Sequence, residues 1–138
     1  DIIRTSDTFE HLIKILNEVK YHVVFVVDKE EKLVGIVTEG DIIKVLIPKY
    51  VAVDESLISV MDVNYFERKC RESKNLPINE IMSKVTFMVG EEDPIIKAAA
   101  LMVMNKIQTI PVVRNGKVVG IVPRLTLIKH ITKVLKGA

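Results

Sequence analysis

Apolar residues recur at intervals of three and four through Phe9, Leu12, Ile13, Leu16 and Val19, which lays one stripe along a helix. Ser6 or Asp7 supplies the side-chain oxygen that such a helix start needs. The pattern then changes. Val24–Val27 and Leu33–Val37 are Val/Ile-rich runs too short for helices, joined by the polar turn Asp28–Lys32, and they read as paired strands. A helix over Glu39–Ile47 follows and stops at Pro48. The same succession returns further on. Pro94–Lys106 predicts a helix with Ile95, Ala99 and Met102 on one face and Ala98, Leu101 and Val103 filling much of the rest. It is therefore expected to be the more deeply buried of the two, with Asp93 as cap and Pro94 in the first turn. Ile110–Val113 and Val118–Val122 flank Asn115 and Gly116, the dipeptide a two-residue hairpin turn prefers, and a helix over Arg124–Lys136 ends before Gly137.

The order strand, helix, strand, strand, helix thus occurs twice, and Gly35 and Gly120, which occupy the same place in each copy, stand 85 positions apart. The expected architecture is α+β, two pseudo-symmetric βαββα repeats with a partly helical connector. The first repeat is expected over residues 1–47, the connector over 48–76 and the second repeat over 77–138. A half of about sixty residues is marginal by itself, so the two are expected to pack sheet to sheet around one core. Within the connector, Asp62–Ser73 reads as a charged helix with Val63, Phe66 and Cys70 on one side. Pro77–Met82 reads as a lead-in to the second repeat, and the first has no counterpart, which suggests that its N-terminal lead-in is missing.

Composition narrows the function. With 20 basic and 18 acidic side chains, the formal charge of +2 does not suit sequence-independent nucleic-acid binding, which rests on a Lys/Arg excess. Seven aromatics, three Tyr and four Phe, give little stacking surface for single strands. Apolar runs such as Ala98–Met104 fall well short of the roughly 20 residues of a membrane-spanning helix. Cys70 is the only cysteine, which points to a reducing, cytoplasmic setting.

At two places the residues resemble the cystathionine-β-synthase (CBS) domain family. Leu33–Asp41, reading LVGIVTEGD, is similar to the string that closes such a domain, and Asn105–Val113, reading NKIQTIPVV, to its central one. Both copies fit, so the resemblance covers the chain except for the connector. It implies a tandem pair that acts as a regulatory module, binding AMP, ADP, ATP or S-adenosylmethionine in a cleft between the copies, with no catalytic cofactor. Independently of the family, a carboxylate such as that of Asp41 can accept hydrogen bonds from ribose hydroxyls. Thr38 opens a helix whose N-terminal N–H groups favour a phosphate. The spacing Thr38-x-x-Asp41 is equally that of a capping box, and the two roles are compatible.

The resemblance places Gly35, Thr38 and Asp41 beside the ligand, together with the other copy's first strand, Val85, Thr86 and Phe87, and with Gln108, Thr109, Ile110 and Pro111. Core packing is the competing role for Val85, Phe87 and Ile110. The neutral Gln108 and Thr109, at positions where family members often carry basic groups, favour AMP over a more highly charged nucleotide. In the second copy Pro123 replaces the threonine and Thr126 the aspartate, so a second site is expected to be degenerate, lined by His22, Val23, Arg124 and Thr126.

An enzyme is not indicated. His11, His22 and His130 have no metal-ligand spacing, no paired cysteines exist, and no Gly-x-Ser-x-Gly elbow occurs. The sensor reading also implies an attached or associated effector protein and a homodimer. A rival reading is a protein-interaction or dimerisation scaffold with vestigial pockets, built on the apolar faces of Asp41–Ile47 and Leu125–Leu135.

Overall fold

The computed structural model describes residues 2–19, 23–85 and 87–137. The elements are β1 (Ile2–Arg4), α1 (Phe9–Leu16), β2 (Val23–Val27), β3 (Leu33–Thr38), α2 (Glu39–Leu46), α3 (Tyr65–Glu72), β4 (Ser83–Lys84), β5 (Val89–Gly90), α4 (Ile95–Asn105), β6 (Thr109–Arg114), β7 (Lys117–Pro123) and α5 (Arg124–Leu135). Each copy carries the expected order, β1-α1-β2-β3-α2 and then β5-α4-β6-β7-α5. The ambiguous stretch before α3 forms two short 3-10 helices, Lys49–Ala52 and Glu55–Val60. The chain divides into two compact units, Asp1–Asp28 with Val34–Lys84, and Lys29–Leu33 with Val85–Ala138.

In the first unit the sheet order is β1-β2-β3-β4. The crossover through α1 makes β1 parallel to β2, Ile3 opposite Val26. All five residues of β2 are buried, as expected of a continuous apolar run covered on both faces. The core gathers Ile3, Phe9, Leu12, Val24, Val26, Val37, Ile42 and Leu46. Ile78 and Ile81 of the lead-in join it, and Ile78 is wholly buried. Backbone bonds fix that segment: the Ile78 N–H donates to the Asp7 carbonyl at 2.9 Å and the Phe9 N–H to the Leu76 carbonyl at 2.8 Å.

In the second unit β5 runs parallel to β6 and β6 antiparallel to β7. Asn115 and Gly116 both take positive φ, 53° and 81°, as the tight turn between β6 and β7 requires. The Gly116 carbonyl accepts the Leu33 N–H at 2.9 Å.

Four local expectations are corrected. The cap of α1 is Thr8, whose hydroxyl accepts the His11 N–H, because Asp7 turns back to accept the Arg4 N–H at 2.9 Å. Asp93 does not cap α4. It closes the preceding turn, accepting the Gly90 N–H at 2.7 Å and the Lys97 ammonium at 3.0 Å, and Pro94 stands at the cap position without a side-chain bond. Nor is α4 the deeper helix. It buries only Ala98 and Met102, because its apolar residues encircle it and Ile96, Val103 and Met104 are left exposed, whereas α1 aims one stripe at the core. The connector helix is shorter than Asp62–Ser73: it runs Tyr65–Glu72, so Val63 lies before it, while Phe66 is exposed and Cys70 is partly buried against the first core.

Two carboxylates of the second unit, Glu91 exposed and Asp93 partly exposed, titrate below their usual range. A hydrogen bond from the Arg114 guanidinium lowers Glu91, and the Gly90 N–H, with Lys97 second, lowers Asp93. A carboxylate depressed in the folded state stabilises above its unfolded pKa and stops doing so as pH falls through its folded value. Thermal melts taken from about pH 5 down to about pH 2 are therefore expected to lose stability, and Asp93→Asn to flatten part of that slope. Both groups face solvent, so the effect is small, and added salt is expected to shrink it.

Candidate functional site

β3 runs straight into α2, and the junction is a complete capping box. The Thr38 hydroxyl accepts the Asp41 N–H at 3.3 Å, while Asp41 Oδ2 accepts the Thr38 N–H at 2.9 Å and the Thr38 hydroxyl at 3.2 Å. Both side chains are partly buried, and the helix they start carries Glu39 and Asp41 in its first turn and Lys44 in its last, matching its dipole. The other carboxylate oxygen faces a residue the sequence did not bring forward. Ser83 donates its hydroxyl to Asp41 Oδ1 at 3.0 Å. The contact follows from strand pairing, since β4 lies antiparallel to β3 with Ser83 opposite Ile36, just before the turn into α2.

Gly35 is buried in β3 opposite Lys84. A Cβ there would run into the Met82 sulfur and stand 3.1 Å from the Ser83 carbonyl oxygen. Its missing side chain therefore lets β4 approach, and its connection to the site is through the strand that carries Ser83.

Most of the remaining expected residues belong to the second unit, while His22 and Val23 belong to the first. Val85 is half-buried and Phe87 buried, but neither lies in a strand: the first strand of that copy is β5, at Val89–Gly90. Gln108 is exposed in the α4–β6 connection, and Thr109, Ile110 and Pro111 are buried at the start of β6. Ile110 is fully buried, as its packing role requires. The register brings Thr109 opposite Pro123, and the Gln108 carbonyl accepts the Arg124 N–H at 2.9 Å, so Gln108 and Arg124 are neighbours. Pro123 and Thr126 leave α5 without a side-chain cap or an acidic first turn. Arg124 and Thr126 are exposed and Val23 is buried in β2. His22 and Thr86 lie outside the described residues.

A different concavity lies beside α5. A groove of about 540 Å³ runs between α4 and α5, lined by Met102, Val103, Ile107, Leu127, Ile128 and Ile131, with Gln108 and Arg124 at one end. Among the described residues, no helix is long and apolar enough to cross a membrane.

Comparison with known proteins returns one family twice along the chain. A family model described as CBS domain matches residues 2–48 and 78–133. Uncharacterized protein MJ1426 of Methanocaldococcus jannaschii is 29% identical over 116 residues, 75% of this chain and 69% of that protein. Among solved structures, the CBS domain of a CBS domain containing membrane protein from Sphaerobacter thermophilus is 29% identical, with a TM-score of 0.71 over 94% of this chain and 80% of that one. The CBS domain pair of protein MJ0100, in complex with 5′-methylthioadenosine and S-adenosyl-L-methionine, is 25% identical, with a TM-score of 0.67 over 94% and 89% of the two chains. CBSX2 in complex with AMP shares the fold, with a TM-score of 0.69, 21% identity and coverage of 97% and 88%.

Proposed function

Because this chain belongs to the CBS domain family, with two copies in tandem, we propose that it is a cytoplasmic regulatory module that senses an adenosine-containing ligand, with AMP as the preferred candidate. The observation that carries the reading is the junction of β3 and α2. It presents an oriented carboxylate, Asp41, at the start of a helix, and the second copy has neither the threonine nor the aspartate. The ligands of the related MJ0100 pair share an adenosine moiety, which supports the same ligand class here.

In this reading Asp41 takes the sugar, and the positive end of the α2 dipole favours a phosphate. Val85, Phe87, Ile110 and Pro111 supply apolar contacts to the purine, with Thr86 beside them, and the neutral Gln108 and Thr109 suit AMP better than ATP. The second site, with Arg124 and Thr126 from the second copy and His22 and Val23 from the first, has no carboxylate for the sugar and is assigned as degenerate. No chemistry is performed on the ligand. Regulation of an associated effector then requires that AMP prefer one of two states, a coupling typically of about 1–3 kcal/mol. Calorimetric titration with AMP, ADP, ATP and S-adenosylmethionine tests the proposal. Saturable binding at one site per chain, tightest for AMP, is expected; absence of binding by all four contradicts it.

One observation favours a second reading, a homodimerising scaffold. Ile128 and Ile131 on α5 and Val103 on α4 line the apolar groove and are exposed, and Val134 and Leu135 on α5 and Ile96 on α4 are exposed as well. A stable dimer in light scattering, together with no thermal shift from any of the four ligands, would select it over the sensor.

A further inference from the structure

Asp41 has less free acceptor capacity than the two hydroxyls of a ribose would use. A carboxylate offers about four lone-pair positions, two on each oxygen. Oδ2 is filled by the Thr38 N–H and the Thr38 hydroxyl, at 2.9 and 3.2 Å. Oδ1 holds the Ser83 hydroxyl at 3.0 Å and has room for one more donor. Thr38 offers little help, since its proton points to Oδ2 and its oxygen already accepts the Asp41 N–H at 3.3 Å. Ser83 is different. Its proton lies on Asp41, its oxygen accepts no hydrogen bond among the described residues, and its side chain is exposed on the short edge strand β4.

Resting on the adenosine reading above, we infer that Ser83 is a specificity-determining residue of the site. Asp41 Oδ1 accepts one hydroxyl of the ribose, the Ser83 oxygen accepts the other, and Ser83 continues to donate to Oδ1. The two acceptors stand 3.0 Å apart, a spacing that the hydroxyls of a vicinal cis-diol can span together. The pair therefore reads a cis-diol rather than a sugar in general, and it does so without breaking the cap that holds α2. Both halves of this arrangement lie in the first unit.

The test is titration of AMP, 2′-deoxy-AMP and 3′-deoxy-AMP into the unaltered chain, Ser83→Ala and Ser83→Thr. The unaltered chain is expected to bind AMP about tenfold more tightly than either deoxy compound, the weight of one hydrogen bond to a charged or polarised acceptor. Ser83→Ala is expected to weaken AMP by about tenfold and to bind one of the deoxy compounds as well as it binds AMP. Ser83→Thr, which keeps the hydroxyl, is expected to restore the preference. A Ser83→Ala chain that keeps both ratios overturns this inference and leaves the adenosine reading standing. Loss of the ratios in Ser83→Thr as well overturns it too, since the effect would then belong to the packing of β4. An unaltered chain that binds none of the three overturns the adenosine reading and this inference with it.

Discussion

Asp41→Ala is expected to weaken AMP binding by about tenfold to a hundredfold, because it removes a charged acceptor from the sugar and leaves Ser83 without the partner that orients it. The same change dismantles the capping box, since the Thr38 N–H and hydroxyl both lose their acceptor. Loss of a cap costs about 1 kcal/mol, which lowers Tm by only a few degrees in a chain of this size. The two effects separate by temperature. Titration at 25 °C, well below the melt, reads the lost contact, while the melt reads the lost cap. Equal AMP affinity in the unaltered and Asp41→Ala chains would reduce Asp41 to a helix cap and nothing more.

The second large effect is structural. Ile78→Ala is expected to cost about 2–5 kcal/mol, the range for emptying a buried aliphatic site, out of a total stability of about 5–15 kcal/mol. Ile78 has no exposed surface and packs in the same core as Ile3, Phe9 and Leu12. It also anchors the segment that ends in Ser83, so the variant is expected to loosen β4 along with the core. Val103→Ala is the control: its side chain is 80% exposed on α4, and the change is expected to stay within about 0.5 kcal/mol. Chemical denaturation of the three chains measures both. Similar midpoints for Ile78→Ala and Val103→Ala would show that residues 77–84 do not belong to the first core.

Local order was legible wherever one physical signal dominated. Val24–Val27, Leu33–Val37, Ile110–Val113 and Val118–Val122 are short, β-branched and bounded by turn residues, and each lies within a strand. Asn115 and Gly116 announced their turn because few other pairs tolerate positive φ at both positions. Thr38 and Asp41 announced their cap because both partners lie within one helical turn. Where two nearby oxygens competed, the pattern failed: Thr8 rather than Asp7 caps α1, since the aspartate's reach back to Arg4 depends on a turn that periodicity does not register. Apolar content also misled at α4, where residues spread around the helix give no direction to burial. Ser83 was invisible for a different reason. Its partner is 42 positions away, and only the pairing of β3 with β4, between which Gly35 leaves the space that Met82 fills, brings the two together.

A crystal structure of the chain grown with AMP goes to the heart of the account. It is expected to show a ribose hydroxyl within hydrogen-bonding distance of Asp41 Oδ1, with the bonds from Thr38 to Oδ2 intact. Adenosine bound elsewhere, with Oδ1 still holding Ser83 alone, would contradict it.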